Sequence, residues 1–208
     1  MMIHDRPGRA PVPAALLAAC AALALAGCVS FGAKPPAELL TLSPARTVAP
    51  GTPLRQGAGA TSLLVADPDA PKLLDTVRVP VQVTPTSVAY VKGAVWSDTP
   101  RHLFRKLLTE TIAASGNRIV LEPGQYSAVP GQRLSGELIQ FGVDAATGSA
   151  IVTFDAILTG GGDATIAKQR FTASAPVGKI EAASAGTALN AAANQVAADV
   201  AAWVGPAR

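Results

Sequence analysis

Cys28 carries the most reactive side chain this sequence offers. A thiolate is the best side-chain nucleophile for alkylation. The residues before it, Leu25-Ala26-Gly27, end in two small side chains that let an extended chain thread a peptidase. Trp96 and Asp98 form a second group, placed just before a segment led by Pro100. Trp is favoured at the centres of protein interfaces, so this pair reads as a candidate partner contact. The simpler alternative packs Trp96 in the core and uses Asp98 to help cap a helix beginning at Pro100. Trp203 is read as core.

Other polar residues give weaker signals. His102 is the one His outside the first 27 residues, and no Cys or second His stands by it to build a metal site or a catalytic set. No cofactor or metal is therefore expected, and His102 reads as an exposed helix residue. Ser115 and Ser135 lie in no Gly-x-Ser-x-Gly elbow. Gly160-Gly161-Gly162 lacks the Lys and Ser/Thr that complete a phosphate loop, and a tight turn explains it. The carboxylates of Glu110, Glu122, Glu137, Asp144 and Asp155 are scattered, and spacing pairs none of them. Arg101, Arg105 and Lys106 read either as a contact for anionic lipid headgroups or, more simply, as a solvated helix face.

The surroundings of Cys28 give its chemistry a setting. His4, Arg6 and Arg9 make a basic opening, and Ala14 to Ala26 is an uncharged apolar run. At 13 residues this run is too short for a bilayer, which needs roughly 20. A basic start, a short apolar core and small residues at its end describe a secretory signal peptide. Its last four residues, Leu25-Ala26-Gly27-Cys28, resemble a lipobox, the site where bacterial lipoproteins are cleaved and acylated. The resemblance implies a signal peptide over 1–27, a diacylglyceryl thioether on Cys28 and an acyl chain, such as palmitate, on the new amino group. Two chains anchor stably where one does so only marginally. Cys20 would leave with the signal. By analogy with enterobacterial sorting, Val29 after the anchor favours the outer membrane, with the domain facing the periplasm.

Composition narrows the partners. Cleavage would leave 181 of 208 residues, with 15 basic and 13 acidic side chains. This weak charge has no cluster, so the electrostatic footprint of a nucleic-acid binder is missing. With no Cys beyond Cys28 in the mature chain, no disulfide can form within the domain, and the apolar core must hold the fold. Residues 28–37 read as the acylated Cys and a short tether. The nine residues after the Cys span at most ~30 Å. Residues 38–208 read as a single domain.

Within that domain, apolar periodicity places the elements. Strands are expected at Leu39–Leu42, Thr61–Ala66, Val77–Val83, Ser87–Val91, Arg118–Leu121, Arg133–Phe141, Ala150–Leu158 and Ile166–Ala173. Pro80 argues that its strand lies at an edge or breaks there. Residues 43–60 read as a loop. A helix starts at Pro100 with Thr99 as N-cap, buries a stripe of Leu103, Phe104, Leu107, Leu108 and Ile112, and ends at Gly116. A long Ala-rich helix covers Ile180–Trp203, with Leu189, Ala192, Val196, Val200 and Trp203 on one face. In strand 150–158, Ala150, Val152, Phe154, Ala156 and Leu158 face one way. The turn at Gly160–Asp163 makes it a hairpin with the strand that follows. The expected architecture is α+β: a mainly antiparallel sheet with two principal helices packed on one face.

Several segments resemble the ABC-type transport auxiliary lipoprotein family. These are Leu40-Thr41-Leu42, Leu74-Asp75-Thr76-Val77-Arg78-Val79, the stretch Tyr90 to Asp98 with its Ala94-x-Trp96-x-Asp98 pattern, and Asn194-Gln195 followed by Ala201-Ala202-Trp203. They span most of the mature chain in order. Two departures are that the first strand lacks the family's usual Tyr residues and that Val95 stands where Arg is common. The resemblance implies a non-enzymatic accessory of a transporter containing mammalian-cell-entry (MCE) domain proteins, which moves phospholipid across the envelope. The implied partners are an MCE-domain protein with its ABC permease and ATPase, and the membrane through the anchor. Self-assembly into a ring or smaller oligomer is compatible with this. Two alternatives belong to other classes: a periplasmic lipid carrier, and an envelope hydrolase, which lacks a catalytic set.

Overall fold

The computed structural model describes residues 38–52, 62–115, 118–124, 131–160 and 166–205. Cys28, the tether, the far part of the 43–60 loop, Gly116 and the turn residues Gly161–Asp163 lie outside them. Seven strands and two helices follow in order: β1 (Ser62–Val65), β2 (Arg78–Thr84), β3 (Ser87–Val95), α1 (Pro100–Ala114), β4 (Ile119–Leu121), β5 (Gln132–Asp144), β6 (Ser149–Gly160), β7 (Ile166–Pro176) and α2 (Ala182–Val204).

β5 is the strand on which the sheet is assembled. Along its whole length it pairs with β6, and β6 pairs with β7, both antiparallel. Its other side is divided. Near its start it takes β1 in parallel, which in turn takes β4 in parallel. Near its end it takes β2 in parallel, and β2 pairs antiparallel with β3. Between them, Asp69 bridges to Glu137. The sheet is thus mixed. The long ladders are antiparallel, as the hairpin patterns suggested. The short parallel ladders come from apolar runs whose partners are distant in sequence.

The edge expectation for Pro80 is corrected here: β2 lies between β3 and β5. The imino nitrogen is tolerated because the β2–β3 register slips between Arg78 and Pro80, and the β5 ladder is joined only from Val81 onward. Gly136 supports the central strand in another way. Its φ is +147°, and an added Cβ would lie 1.9 Å from the Asp155 carbonyl oxygen.

Ring contacts show which face the helices cover. Phe154 and Phe171 are cross-strand neighbours. Phe104 of α1 meets Phe154 edge-on at 5.3 Å, and Trp203 of α2 meets Phe171 edge-on at 5.6 Å. Both helices therefore lie on the same face. All five residues of the expected α1 stripe are buried, as are Leu189, Ala192, Val196 and Val200 of α2. Each buried Leu or Phe contributes about 1.5–3 kcal/mol. Trp203 is half-buried. The Ala-rich face brings α2 close, and at Gly186 there is no room for a methyl group: a Cβ would meet Leu40 Cδ2 at 2.7 Å.

The expected strand at Leu39–Leu42 reduces to one bridge, Leu40 to Trp96. The described residues all belong to a compact unit given as Pro36–Arg208.

Candidate functional site

The corner where the chain enters the domain is built on the end of β3. Leu40 N–H donates to the Val95 carbonyl and Ser97 N–H donates to the Leu40 carbonyl, both at 2.8 Å. From the other side, Trp96 N–H donates to the Val77 carbonyl at 2.7 Å. This fixes Trp96 with its ring inward. The side chain is 1 % exposed and lies edge-on to Phe141 at 5.5 Å. A ring in this position packs in the core, the simpler of the two readings of Trp96.

Asp98, two residues on, is half-exposed. Its Oδ1 accepts the Thr99 N–H at 2.7 Å and lies 3.1 Å from His102 Nδ1. The Thr99 amide first, then the His102 bond, lower the Asp98 pKa below the usual carboxylate value. Thr99 is the N-cap of α1, but its own side chain makes no capping bond. The carboxylate before it takes one free amide of the helix entry.

Along α1 each basic side chain meets a carboxylate. Arg101 lies 3.5 Å from Asp75, and Lys106 lies 3.8 Å from Asp98. Arg105 spans Asp67 at 2.8 Å and Glu122 at 2.5 Å. Burial opposes the Arg105 charge, yet Glu122 and Asp67 together outweigh it and raise the pKa. His102 sits between Asp98 and Asp67. The arginines are thus committed to the domain's own acids, which makes a rigid, charge-compensated flank. Among the described residues, no three His, Cys, Asp or Glu side chains are grouped as metal ligands.

The remaining carboxylates and hydroxyls hold structure. Asp144 accepts the Ala146 and Thr147 amides in the β5–β6 turn. Asp155 holds Arg170 through both oxygens and lies near Lys168. Glu137 stands opposite Asp155 in the ladder. Ser115 Oγ donates to the Ile112 carbonyl. Ser135 lies within β5.

Sequence reasoning missed a strap. After Leu40, the Ser43 N–H donates to Asn190 Oδ1 at 2.8 Å, and the Ala45 N–H donates to Asn194 Oδ1 at 2.7 Å. Asn194 Nδ2 donates back to the Ser43 carbonyl at 2.9 Å. Val48 N–H then donates to Glu110 Oε1 of α1. Residues 40–48 therefore run across both helices on side-chain bonds. The signal was present in the pair Asn190 and Asn194, one helical turn apart within an Ala-rich helix where Asn is otherwise a poor choice.

The site is a pinned chain entrance on an α+β domain. The chain belongs to the ABC-type transport auxiliary lipoprotein component family, whose family model matches residues 40–201. The matched region begins at the residue that bridges to Trp96. A crystal structure of a Xanthomonas campestris protein assigned to family DUF330 is similar in fold. Its TM-score is 0.68 at 22% identity, covering 81% of this chain and 94% of that one. A second, of a protein described as uncharacterized, has a TM-score of 0.61 at 14% identity, covering 80% and 99%. No curated protein matches the chain.

Proposed function

We propose that this chain is a non-enzymatic lipoprotein, anchored through Cys28, that docks a periplasmic MCE-domain protein of an ABC-type lipid transport system at the outer membrane. Family membership supplies the transport setting. The observation that carries the docking role is the strap. Twelve Cα–Cα steps separate Cys28 from Leu40, which is bonded into β3. A domain pinned there stays within about 43 Å of an acylated Cys28. The strap therefore makes the chain entrance a positioning device. Trp96 and Asp98 contribute from beneath, one fixing the chain that Leu40 grips and the other the start of α1.

The space between sheet and helices is filled by Trp96, Phe104, Phe141 and Phe154, all buried. This favours a docking body over a carrier that must hide an acyl chain between its layers.

Two experiments test the reading. Cys28→Ser should leave the domain folded while abolishing incorporation of radiolabelled fatty acid and release it from the membrane fraction. A mutant that keeps label and membrane association sinks the anchor. For docking, native mass spectrometry of the protein with the MCE protein encoded beside it should show a complex. A one-to-one phospholipid adduct with no protein complex would favour the carrier instead.

A further inference from the structure

Strand β7 pairs with β6 on one side, over all eleven of its residues and with no register slip. Among the described residues it has no neighbour on the other side. The phase of the ladder follows from one bond beyond its end, where the Val177 N–H donates to the Gly148 carbonyl. Alternation from that point gives odd-numbered residues the bonds to β6. The N–H and C=O groups of Lys168, Arg170, Thr172 and Ser174 then point out of the sheet. This is a long open edge, and its one proline, Pro176, stands at its end.

Two further features give the edge a chemical character. On the outer face, Glu137 on β5 and Asp155 on β6 are acidic and Arg133 near the start of β5 is basic, while both charged residues of β7, Lys168 and Arg170, are basic. Lys168 and Arg170 share the one carboxylate of Asp155, which leaves β7 with an excess of positive charge at the open side, with both cations 62% exposed. On the inner side, an open surface depression of about 520 Å³ lies where the end of β7 meets the first half of α2. It is lined by Ala175, Pro176, Val177, Ser184, Ala188 and Ala191, all small or short side chains. A strand laid along β7 would place alternate side chains toward this depression and the others beside Lys168 and Arg170.

We infer that β7 takes up an extended segment of the periplasmic partner as an added strand, one with carboxylates at alternate positions and small apolar residues between them. Main-chain bonds to the even-numbered residues supply affinity, and the depression and the cations select the sequence. This rests on the docking reading above and names its mode. Basic residues on an edge also deter self-pairing, which fits a surface reserved for an unlike chain.

The test uses the full acylated chain in detergent and a labelled ten-residue peptide alternating Glu and Val, followed by fluorescence anisotropy. Saturable binding is expected. It should weaken at least about tenfold when Glu is replaced by Lys, when the same residues are arranged as a Glu block and a Val block, or in Thr172→Pro, which removes an outward N–H without touching the β6 ladder. Lys168→Glu should weaken it as well. If Thr172→Pro does not fold, Ser174→Pro replaces it, and amide exchange of the wild type should show new protection at Lys168, Arg170 and Thr172 when the peptide is added. Equal binding of block and alternating peptides, or no binding, overturns the inference. So does a change of oligomeric state in Thr172→Pro by analytical ultracentrifugation, since a second copy would then occupy the edge. A complex with the MCE protein that survives Thr172→Pro unweakened leaves docking intact and removes β7 from it.

Discussion

Two edges of the sheet, β3 and β7, end in different ways. At the β3 side, the last residues are closed by the chain's own Leu40, and the strap then crosses both helices. At the β7 side, eleven residues paired to β6 without a slip have no such cover among the described residues. An open strand edge presents a row of unpaired backbone groups and is ordinarily a liability. One end of the β3 edge is covered by the chain itself, and the β7 edge carries basic side chains. Under the proposals above, the first would fix where the domain hangs and the second would receive another chain.

The contrast depends on β5, from which both sides are built, and the largest expected effect comes from breaking it. Gly136→Ala would drive a Cβ into the Asp155 carbonyl from a backbone conformation that L residues avoid. The loss should be about 3 kcal/mol or more, enough to lower the melting temperature by roughly 8 °C or prevent folding. Gly148→Ala, where φ is +61° and nothing lies within 4 Å, is the control. It should cost about 1 kcal/mol. Equal melting curves for the two variants would show that β5 and β6 do not meet as described.

A smaller change should separate the two edges. Asn194→Ala removes the bonds to Ala45 and Ser43. Because these lie at the surface, the expected cost is about 1–2 kcal/mol. Hydrogen exchange should quicken at Ala45 while the odd-numbered amides of β7 keep their protection. Faster exchange at both would mean that the edges are not independent.

The smallest effect is a titration on the β7 side. Hydrogen bonding to Arg170 chiefly, opposed by burial and helped by the charges of Arg170 and Lys168, depresses the Asp155 pKa below its ordinary value. A depressed carboxylate stabilises the fold above the unfolded-state value, near about 3.9, and that contribution is lost as pH falls through the lower folded value. Urea midpoints of wild type and Asp155→Asn should therefore differ at neutral pH and converge below about pH 4. A constant difference across this range would detach Asp155 from the acid response.

Legibility in the sequence followed the range of the interactions. The α1 stripe from Leu103 to Ile112 and the β6–β7 hairpin were readable because their periodicity is local. The parallel joining of β1 and β2 to β5 was not, since runs such as Ser62–Val65 are too short to declare a partner. Of the two outcomes Pro80 allows, an edge or a break, the ladder takes the break, a slip in the β2–β3 register, and β2 stays inside the sheet. At the candidate site, Trp96 and Asp98 stood out by type, and the structure gives each a position. The strap did not stand out, because its partners lie 147 and 149 residues apart and the interaction is made through amides that carry no periodic signature.

The strap also bears on how far the anchor reaches. Tension arriving from the N-terminal side meets Leu40 first, then the bonds at Ser43, Ala45 and Val48, each a separate and modest obstacle. Such a series peels one step at a time instead of failing as a unit. Freeing the chain from Leu40 to Val48 releases nine residues, which extended span up to about 29 Å. Under the proposed anchoring the leash is extensible, paying out chain under load while the bonds of the sheet are still untouched.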